Sequence, residues 1–504
     1  MGIQVKLIAK PVDAFVSGYV ATIDPRDSAI LGVKENDRVR IIGPKGEMAV
    51  VVIVSDSFVE PGSVLLSNLL MKRVGAKPGE EIEVSYSPSP DSVRSIRRKM
   101  DGQKLDAIEI ENIVKDIYQG NLSIIETSAW LTALYINGMD LDEIAAFANA
   151  MVDTGDRIEF GRSPVFDFHS MGGVPGNKIT PIVVSICAAA GIMVPKTSSR
   201  AISSACGTSD FVELFCPVEV TLDRLREIGE TVGGAFVWGG SMNIAPVDDM
   251  VIKIEHPLGI NPRAQMLASI LGKKLAIGAN YLLIDIPTGG GTKVPTIEAA
   301  KAYSRDFMTL GEKLGIHIEC AITYADQPVG HAIGPALEAR ECLRVLEGED
   351  HPASVIEKAC ECAGMILEMG GIPNGAKRAR EILKSGDARK KFLEIVVAQG
   401  GSADLKSSDI PIGKYTYDVV SDRSGYVNRV NNSDLVAIAK VLGAPSDKGA
   451  GLEVIKKRGH RVEVGDVLFR LYADNDAKLA HAKDMAEKLM PIVIEGMILS
   501  HISE

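Results

Sequence analysis

The residues best placed to do chemistry in this sequence form a glycine-rich stretch between two apolar runs. The stretch is Asp167-Phe168-His169-Ser170-Met171-Gly172-Gly173-Val174-Pro175-Gly176-Asn177-Lys178. Residues 164–168 before it are typical of a strand, and residues 179–190 after it are typical of a helix. A strand, a glycine turn and a helix in this order direct backbone N–H groups and the positive end of a helix at an anion. We predict an anion site at Ser170, Gly172 and Gly173; the alternative is a tight turn that binds nothing.

A hydroxyl-rich stretch follows at residues 195–210. It holds seven serine and threonine side chains and one arginine. These side chains can donate hydrogen bonds to phosphate or sugar oxygens, so we predict a second wall of the same site. The alternative is a solvated serine-rich loop. The candidate residues are Ser198, Ser199, Arg200, Ala201, Ile202, Ser203, Ser204 and Thr208.

A second glycine loop follows an apolar strand at residues 281–286. It is Pro287-Thr288-Gly289-Gly290-Gly291-Thr292-Lys293, and its spacing differs from the G-x-x-x-x-G-K-[ST] of a P-loop. Two such loops in one α/β region predict two anion positions, suited to a bisphosphate or to a phosphorylated substrate together with inorganic phosphate. Because no nucleophilic side chain stands out, we expect the protein to act by positioning and charge stabilisation.

Two more features lie between the glycine loops. Asn261 precedes Pro262, which is typical of a helix N-cap followed by proline at the first helical position. Ser269 and Lys273 are four residues apart in the helix pattern that follows, so they share a face. From spacing alone, Asn261 is a helix cap, and Ser269 and Lys273 are a solvent-exposed pair.

The elements that carry these loops divide into four predicted domains. Residues 1–86 alternate turns and strands, and the similar units 32–41 and 75–84 resemble the halves of a double-psi barrel, for which we predict a role in assembly. Residues 87–160 are typical of a small helical domain, with a later contribution near 245–280. Residues 161–410 alternate strands and helices, which predicts a large α/β domain with a mainly parallel sheet. Residues 411–504 predict a C-terminal α+β module.

Composition narrows the class of protein. The net charge of −11, with no basic tract, argues against nucleic acid as a partner. Seven scattered cysteines match neither a zinc site nor a disulfide framework, and we expect no metal and no cofactor. The longest apolar run is too short and too rich in alanine and glycine to span a membrane. We expect a cytoplasmic protein without a membrane partner.

Several motifs together resemble the thymidine/pyrimidine nucleoside phosphorylase family over residues 90–504, including the C-terminal β module. They are His169-Ser170-x-Gly172-Gly173-Val174, the stretch 198–210, and Ala268-Ser269-Ile270-Leu271-x-Lys273-Lys274, in the family's order and spacing. The extra N-terminal domain and residues 174–178 and 197–202 resemble the archaeal AMP phosphorylase branch.

The resemblance implies an enzyme that converts a nucleoside 5′-monophosphate and phosphate into free base and ribose 1,5-bisphosphate. It implies Ser269 and Lys273 facing the base. Our hypothesis places inorganic phosphate against residues 170–173, with Ser198 and Thr208 as further donors, and the sequence leaves open which loop holds inorganic phosphate and which the 5′-phosphate. The 5′-phosphate would bind the loop of Lys293 or Arg200, and the sequence does not separate these. The resemblance also implies a homo-oligomer, dimer or larger.

Three positions depart from the family pattern. Phe168 replaces a lysine of the nucleoside enzymes and Ile254 replaces their pyrimidine-binding arginine, which together favour a nucleotide substrate. With Phe168 present, we expect the anion to be held largely by backbone, hydroxyls and a helix dipole. Asn261 stands where the branch has a proton-donating aspartate, and asparagine cannot donate a titrating proton. We therefore expect weak turnover with intact substrate binding.

Three alternatives stay open from the sequence. A pyrimidine nucleoside phosphorylase would share the same motifs. An anthranilate-type phosphoribosyltransferase would share the helical-plus-α/β layout and a glycine-rich phosphate loop, and it would need magnesium. A non-enzymatic assembly or adaptor protein would depend on the N-terminal barrel.

Overall fold

A computed structural model describes residues 4–12, 19–201, 204–496 and 502 of the chain. The chain forms two compact units. The first unit comprises Met1–Gly155 and Ala245–Gly272, and the second comprises Asp156–Ile244 and Lys273–Glu504.

The first unit opens with a closed six-stranded barrel of strand order β1-β5-β2-β4-β3-β6. Two short helices interrupt the strands, and the sequence analysis did not anticipate them. The elements are β1 (Gln4–Val12), β2 (Val20–Ile23), α1 (Pro25–Leu31), β3 (Arg38–Gly43), β4 (Gly46–Val54), β5 (Ser63–Ser67), α2 (Asn68–Val74) and β6 (Glu81–Ser87).

The barrel is internally duplicated, as the repeated turn-strand units predict. Exchanging β1 with β4, β2 with β5 and β3 with β6 leaves the pairing unchanged: β1–β5 and β4–β2 are parallel, and β1–β6 and β4–β3 are antiparallel. In each half a helix ends at a left-handed glycine, Gly32 (φ 67°) or Gly75 (φ 73°), before the turn into the next strand. Only glycine adopts that conformation without strain.

Four amphipathic helices follow in the first unit. They are α3 (Asp91–Met100), α4 (Ala107–Gln119), α5 (Ile124–Asn137) and α6 (Leu141–Asp153). Capping boxes begin α4, α5 and α6, at Asp106, Ser123 and Asp140. Each cap satisfies backbone N–H groups that the first helical turn leaves without partners.

The second unit begins with alternating strands and helices. They are β7 (Phe166–Ser170), α7 (Thr180–Ala189), β8 (Val194–Ser198), α8 (Thr208–Val212), α9 (Leu222–Val232) and β9 (Gly234–Trp238). Helix α7 is buried along nearly its whole length, because it packs inside the largest hydrophobic core of the unit.

The chain then returns to the first unit at Ala245 and re-enters the second unit at Lys273, and two helices lie along this stretch. They are α10 (Pro246–Leu258) and α11 (Arg263–Ala276). The sequence analysis missed α10, whose ends carry Pro246 at the first position and Pro257 in the last turn. It also placed the cap of α11 at Asn261. The carbonyl of Pro262 accepts the first helical bond, from Met266 at 3.0 Å, so the cap position is one residue later than predicted.

The rest of the second unit completes the α/β domain and adds the C-terminal module. Strands β7, β10 and β11 form a parallel sheet in the order β11-β10-β7, and β8 pairs with β9 in parallel. The elements are β10 (Tyr281–Thr288), α12 (Ile297–Leu314), β11 (His317–Tyr324), β12 (Ala332–Ile333), α13 (Pro335–Leu346), α14 (Ala353–Met369), α15 (Gly375–Ser385), α16 (Asp387–Ala398), β13 (Tyr415–Val420), β14 (Gly425–Val430), α17 (Asn432–Leu442), β15 (Gly451–Val454), β16 (Arg461–Val462), β17 (Val467–Ala473), α18 (Asp476–Leu489) and β18 (Ile492–Glu495).

The predicted fold class is confirmed. The chain combines a helical bundle, an α/β domain with a mainly parallel sheet, an N-terminal barrel and a C-terminal α+β module. In the described ranges no helix is both long enough and apolar enough to cross a bilayer.

Candidate active site

The two glycine loops predicted from the sequence meet in the second unit. They leave the carboxyl ends of the neighbouring parallel strands β7 and β10, where Ser170 pairs with Asp285. Gly173 has φ of 90°, and a Cβ added to it would lie 2.7 Å from the backbone nitrogen of Lys293. The loops therefore touch, and their backbones approach more closely than any residue with a side chain would allow. The structure therefore brings the loop of Ser170, Gly172 and Gly173 together with the loop of Lys293.

The hydroxyl of Ser170 is held from one side by an amide. Asn177 Nδ2 donates to Ser170 Oγ at 3.0 Å and to Asp285 Oδ2 at 3.2 Å. Asp285 is fully buried and forms an ion pair of 2.8 Å with Lys358. Because the amide uses an acceptor position of Ser170 Oγ, the hydroxyl proton is directed elsewhere and can be donated to a ligand.

The positive charges of four lysines act on His169, which precedes Ser170 on β7. Burial and the positive charges of Lys274, Lys196, Lys293 and Lys273 hold the pKa of His169 well below its usual range. The imidazole is therefore neutral near pH 7, and the positive potential at the loop comes from the lysines. The sequence predicted only Lys273 and Lys293 as site residues.

A buried carboxylate, Asp167, gathers two of these lysines beneath the loop. Lys274 Nζ lies 2.7 Å from Asp167 Oδ2, and Lys196 Nζ lies 3.8 Å from Asp167 Oδ1. Lys274 also contacts Thr197 Oγ1 at 3.4 Å, and Lys196 donates to the carbonyl of Thr197. Strands β7 and β8 and the end of α11 are thus joined by charge directly below the predicted anion site.

The expectation that backbone, hydroxyls and a helix dipole hold the anion stays a prediction. Phe168 points into the hydrophobic core and is fully buried, so no positive charge comes from that position. Two lysines from other elements, Lys196 of β8 and Lys274 of α11, lie at Asp167 instead. Lys178 faces away from the loop: its Nζ donates to the carbonyls of Val329 and Ala332, each at 3.0 Å, and it forms an ion pair with Glu341.

The hydroxyl-rich stretch is organised by Asp210, which the sequence analysis did not select. Its carboxylate accepts from the backbone N–H groups of Ala201 at 2.7 Å and of Gly207 at 2.9 Å. Ser198, at the end of β8, lies 2.8 Å from the hydroxyl of Ser209. Thr208 is the first residue of α8.

The remaining candidates of this stretch differ in surroundings. Ser199 is exposed, and Ser204 Oγ donates to the carbonyl of Cys206 at 3.1 Å. The predicted residues Ile202 and Ser203 lie outside the described residues.

Arg200 is occupied by carboxylates. Its guanidinium contacts Glu213 at 2.7 Å, Glu219 at 3.3 Å and Asp210 at 3.7 Å, and lies over the ring of Trp238 at 4.7 Å. The bonds to Glu213 raise the pKa of Arg200 and lower the pKa of Glu213 to about 2. A charge paired in this way attracts an anion less than the lysines do.

Helix α11 carries the other predicted site residues. Ser269 and Lys273 lie one turn apart on it, and Lys273 is among the lysines that act on His169. Asn261 lies two residues before the helix and belongs to the first unit, where its Nδ2 lies 3.8 Å from Met266 Sδ.

The C-terminal module holds the Lys293 loop from outside the sheet. Buried Asn432, at the start of α17, donates to the carbonyl of Ala325 at 2.8 Å and to that of Gly290 at 3.3 Å. A Cβ added to Gly291 would lie 3.0 Å from Ser433 Oγ. The module thus fixes the loop that follows β10. Within the described part of the chain, no group of three or more histidine, cysteine, aspartate or glutamate side chains is arranged to hold a metal.

The fold and the two loops define a class, the glycosyl transferase fold with a helical bundle and an α/β domain. Family models match it: "Glycosyl transferase family, helical bundle domain" at residues 93–155 and "Glycosyl transferase family, a/b domain" at 162–389. A pyrimidine nucleoside phosphorylase C-terminal domain matches residues 426–493, and a molydopterin dinucleotide binding domain matches 10–85. The anthranilate phosphoribosyltransferase of Thermus thermophilus superposes with a TM-score of 0.52 over 62% of this chain and 99% of its own, at 22% identity, which shows the shared fold.

Curated relatives are similar over nearly the whole chain. The AMP phosphorylase 1 of Archaeoglobus fulgidus is 47% identical over 96% of this chain and 97% of its own. The AMP phosphorylase of Thermococcus kodakarensis is 48% identical over 97% of this chain and 98% of its own. This chain belongs to the AMP phosphorylase family.

Proposed function

We propose that the protein catalyses phosphorolysis of nucleoside 5′-monophosphates, namely AMP and also CMP and UMP. Inorganic phosphate is the nucleophile, and the products are free base and ribose 1,5-bisphosphate. The observation that carries the proposal is the contact between the two glycine loops, with an added Cβ on Gly173 only 2.7 Å from the nitrogen of Lys293. Two adjoining anion positions suit two bound phosphates, the 5′-phosphate of the substrate and inorganic phosphate.

Inorganic phosphate is assigned to residues 170–173, with Ser198 and Thr208 as further donors. Its oxygen attacks C1′ of the ribose while the C1′–N bond lengthens and its electron pair moves to the base. The ring passes through an oxocarbenium-like state. Lys196 and Lys274 help to hold the phosphate in line, so that catalysis comes from positioning and charge.

The 5′-phosphate is assigned to the Lys293 loop rather than to Arg200. The loop carries its lysine next to the first glycine loop, whereas Arg200 is already paired with Glu213 and Glu219. Ser269 and Lys273 face the base in this proposal, as the resemblance implies.

The leaving base takes up a proton, and Asn261 stands at the position of the donor. A carboxyl group there contributes about 10²–10⁴-fold to rate in general acid catalysis. Asparagine cannot supply that proton, so we propose slow turnover with normal binding of AMP and phosphate.

We also propose that the protein works as a homo-oligomer, dimer or larger, and that the barrel serves assembly. The barrel exposes large apolar side chains, including Phe58 at 79%, Leu69 at 54% and Ile30 at 53% of their surfaces. Such exposure on a folded domain suits contact with another protein surface.

The experiment is a substrate panel. The protein is incubated with phosphate and each nucleoside monophosphate, with the matching nucleosides as controls, and free base is measured with and without a magnesium chelator. We expect base release from AMP, CMP and UMP that needs phosphate and persists with the chelator. Activity on nucleosides alone would contradict the nucleotide assignment, and a strict need for magnesium would favour a phosphoribosyltransferase.

A further inference from the structure

We propose that Lys196 is a further phosphate-positioning residue, which takes up a proton when a phosphate dianion binds beside His169 and Ser170. It acts as one member of a buried cluster with Asp167 and Lys274. The inference rests on the proposed function, because it requires phosphate to bind at this loop.

The cluster contains two cations and one anion in the interior. Asp167 exposes 0% of its surface, Lys274 2% and Lys196 4%. The carboxylate of Asp167 forms its close ion pair with Lys274, at 2.7 Å, whereas Lys196 is 3.8 Å away. One carboxylate neutralises one ammonium, so a second protonated lysine leaves a net positive charge in a buried place, which is costly.

Lys196 is the member that gives up its charge in the unliganded protein. Burial, followed by the positive charge of Lys274, lowers the pKa of Lys196 to about 7. Asp167 opposes this shift, and Lys273 adds to it. Lys196 is therefore largely neutral above about pH 8.

The cluster lies next to the predicted phosphate position. Lys196 and Ser198, a candidate phosphate donor, are two residues apart on β8 and so point to the same face of that strand, as Asp167 and His169 do on β7. The positive charges of Lys196, Lys273, Lys274 and Lys293 all lower the pKa of His169, the residue before Ser170. A dianion bound there supplies the missing negative charge, and a nearby opposite charge favours the protonated form of Lys196.

The sign of the pH dependence follows from these charges. Below about pH 6, Lys196 is already protonated and phosphate binding moves no proton onto it. Above about pH 8 it is neutral before binding and charged afterwards, so binding takes up as much as one proton. Phosphate affinity should therefore weaken as pH rises through this range, even though free phosphate is by then a dianion.

The test is calorimetry of inorganic phosphate binding at about pH 8.5 in two buffers with different ionisation enthalpies. The difference in heat gives the number of protons taken up. We expect uptake by the unmodified protein, no uptake by Lys196→Met, and roughly tenfold weaker binding in that variant, equal to about 1.4 kcal/mol. Lys196→Arg keeps the charge but cannot lose its proton, so we expect it to bind phosphate without proton uptake.

Lys457→Met is the matched control. Burial lowers the pKa of Lys457 to about 8, but its Nζ bonds the carbonyls of Pro328 and Gly330 instead of Asp167. Proton uptake should persist in this variant. The proposal is overturned if the unmodified protein binds phosphate without proton uptake, or if Lys196→Met keeps both uptake and affinity. Failure of the proposed function gives a different result, in which the unmodified protein binds no phosphate or releases no base from AMP.

Discussion

Two neighbouring glycines in the first loop have the same unusual backbone but different surroundings. Gly172 has φ of 75° and Gly173 has φ of 90°. A Cβ added to Gly172 meets nothing within 4 Å, whereas one added to Gly173 lies 2.7 Å from the nitrogen of Lys293. Substitutions at these two glycines therefore distinguish the effect of backbone strain, which both share, from the effect of contact between the loops, which only Gly173 has.

We predict that Gly173→Ala weakens phosphate and AMP binding by much more than Gly172→Ala. Both substitutions place an L residue at positive φ, which costs about 1–2 kcal/mol. Only Gly173→Ala also forces the Lys293 loop to move. Calorimetry of phosphate binding and the KM for AMP measure the difference. Equal losses in the two variants would show that the contact between the loops does not matter.

For Asn261 we predict an effect on the catalytic rate. Asn261→Asp should raise kcat with AMP by about 10²–10⁴-fold, with little change in KM, because a carboxyl group can protonate the leaving base. The gained rate should fall as pH rises, since only the protonated carboxyl donates. Asn261→Ala is the control and should gain nothing. An aspartate variant as slow as the alanine variant would remove position 261 from the mechanism.

The sequence indicated single residues where the backbone conformation requires a particular residue type. It did not indicate residues that only tertiary contacts bring together. Ser170, Gly173 and Lys293 stand in strand-turn patterns that are visible in the chain. Lys196 and Lys274 came from a strand and a helix whose patterns look ordinary, and only folding brings them to Asp167. A lysine inside the buried strand β8 was the one available signal.

Among the elements, α17 of the C-terminal module has a role that no local pattern shows. Its first residue, Asn432, bridges the carbonyls of Ala325 and Gly290, which lie 107 and 142 residues earlier in the chain. No candidate site residue was predicted in this module. The bridge ties it to the loop that we assign to the 5′-phosphate.

We predict that Asn432→Ala raises the KM for AMP more than it weakens phosphate binding. The substitution leaves the carbonyl of buried Ala325 and that of exposed Gly290 without this donor, at a cost of about 1–3 kcal/mol, and loosens the Lys293 loop. Asn431→Ala is the matched control, because Asn431 caps α17 by accepting hydrogen bonds from the backbone N–H groups of Ser433 and Asp434. Loss of this cap should lower stability by about 1 kcal/mol and leave the Lys293 loop in place. A KM for AMP that changes equally in both variants would argue against the bridge.

Element types were largely predictable, and the exceptions have physical causes. The four helices between residues 91 and 153 lie inside the helical domain predicted for residues 87–160, because the caps of three of them are regular. Helices α1 and α2 are only seven residues each and gave too short a pattern. Helix α10 lies in the stretch 245–280 predicted to join the helical domain, but its own bounds were hidden by Pro246, at the first position where proline is tolerated, and by Pro257 in the last turn.

For the whole molecule, the barrel and the phosphate loops belong to different compact units. Within the first unit, buried Arg38 of the barrel forms an ion pair with Glu126 of α5 and donates to the carbonyl of Asn121 at 3.1 Å. We predict that deleting residues 1–84 reduces the size of the assembly while AMP phosphorolysis persists. Light scattering after size-exclusion chromatography measures the assembly, and the activity assay shows that the remaining chain is folded. An unchanged assembly would count against the barrel's role.

The central claim is that inorganic phosphate attacks a substrate that carries its own phosphate. The most direct measurement is ³¹P NMR of AMP and phosphate with the protein, together with a count of adenine released. The account predicts that each adenine appears with the loss of one inorganic phosphate and the appearance of a sugar carrying two phosphates, ribose 1,5-bisphosphate. Adenine released without consumption of phosphate, leaving ribose 5-phosphate, would contradict it.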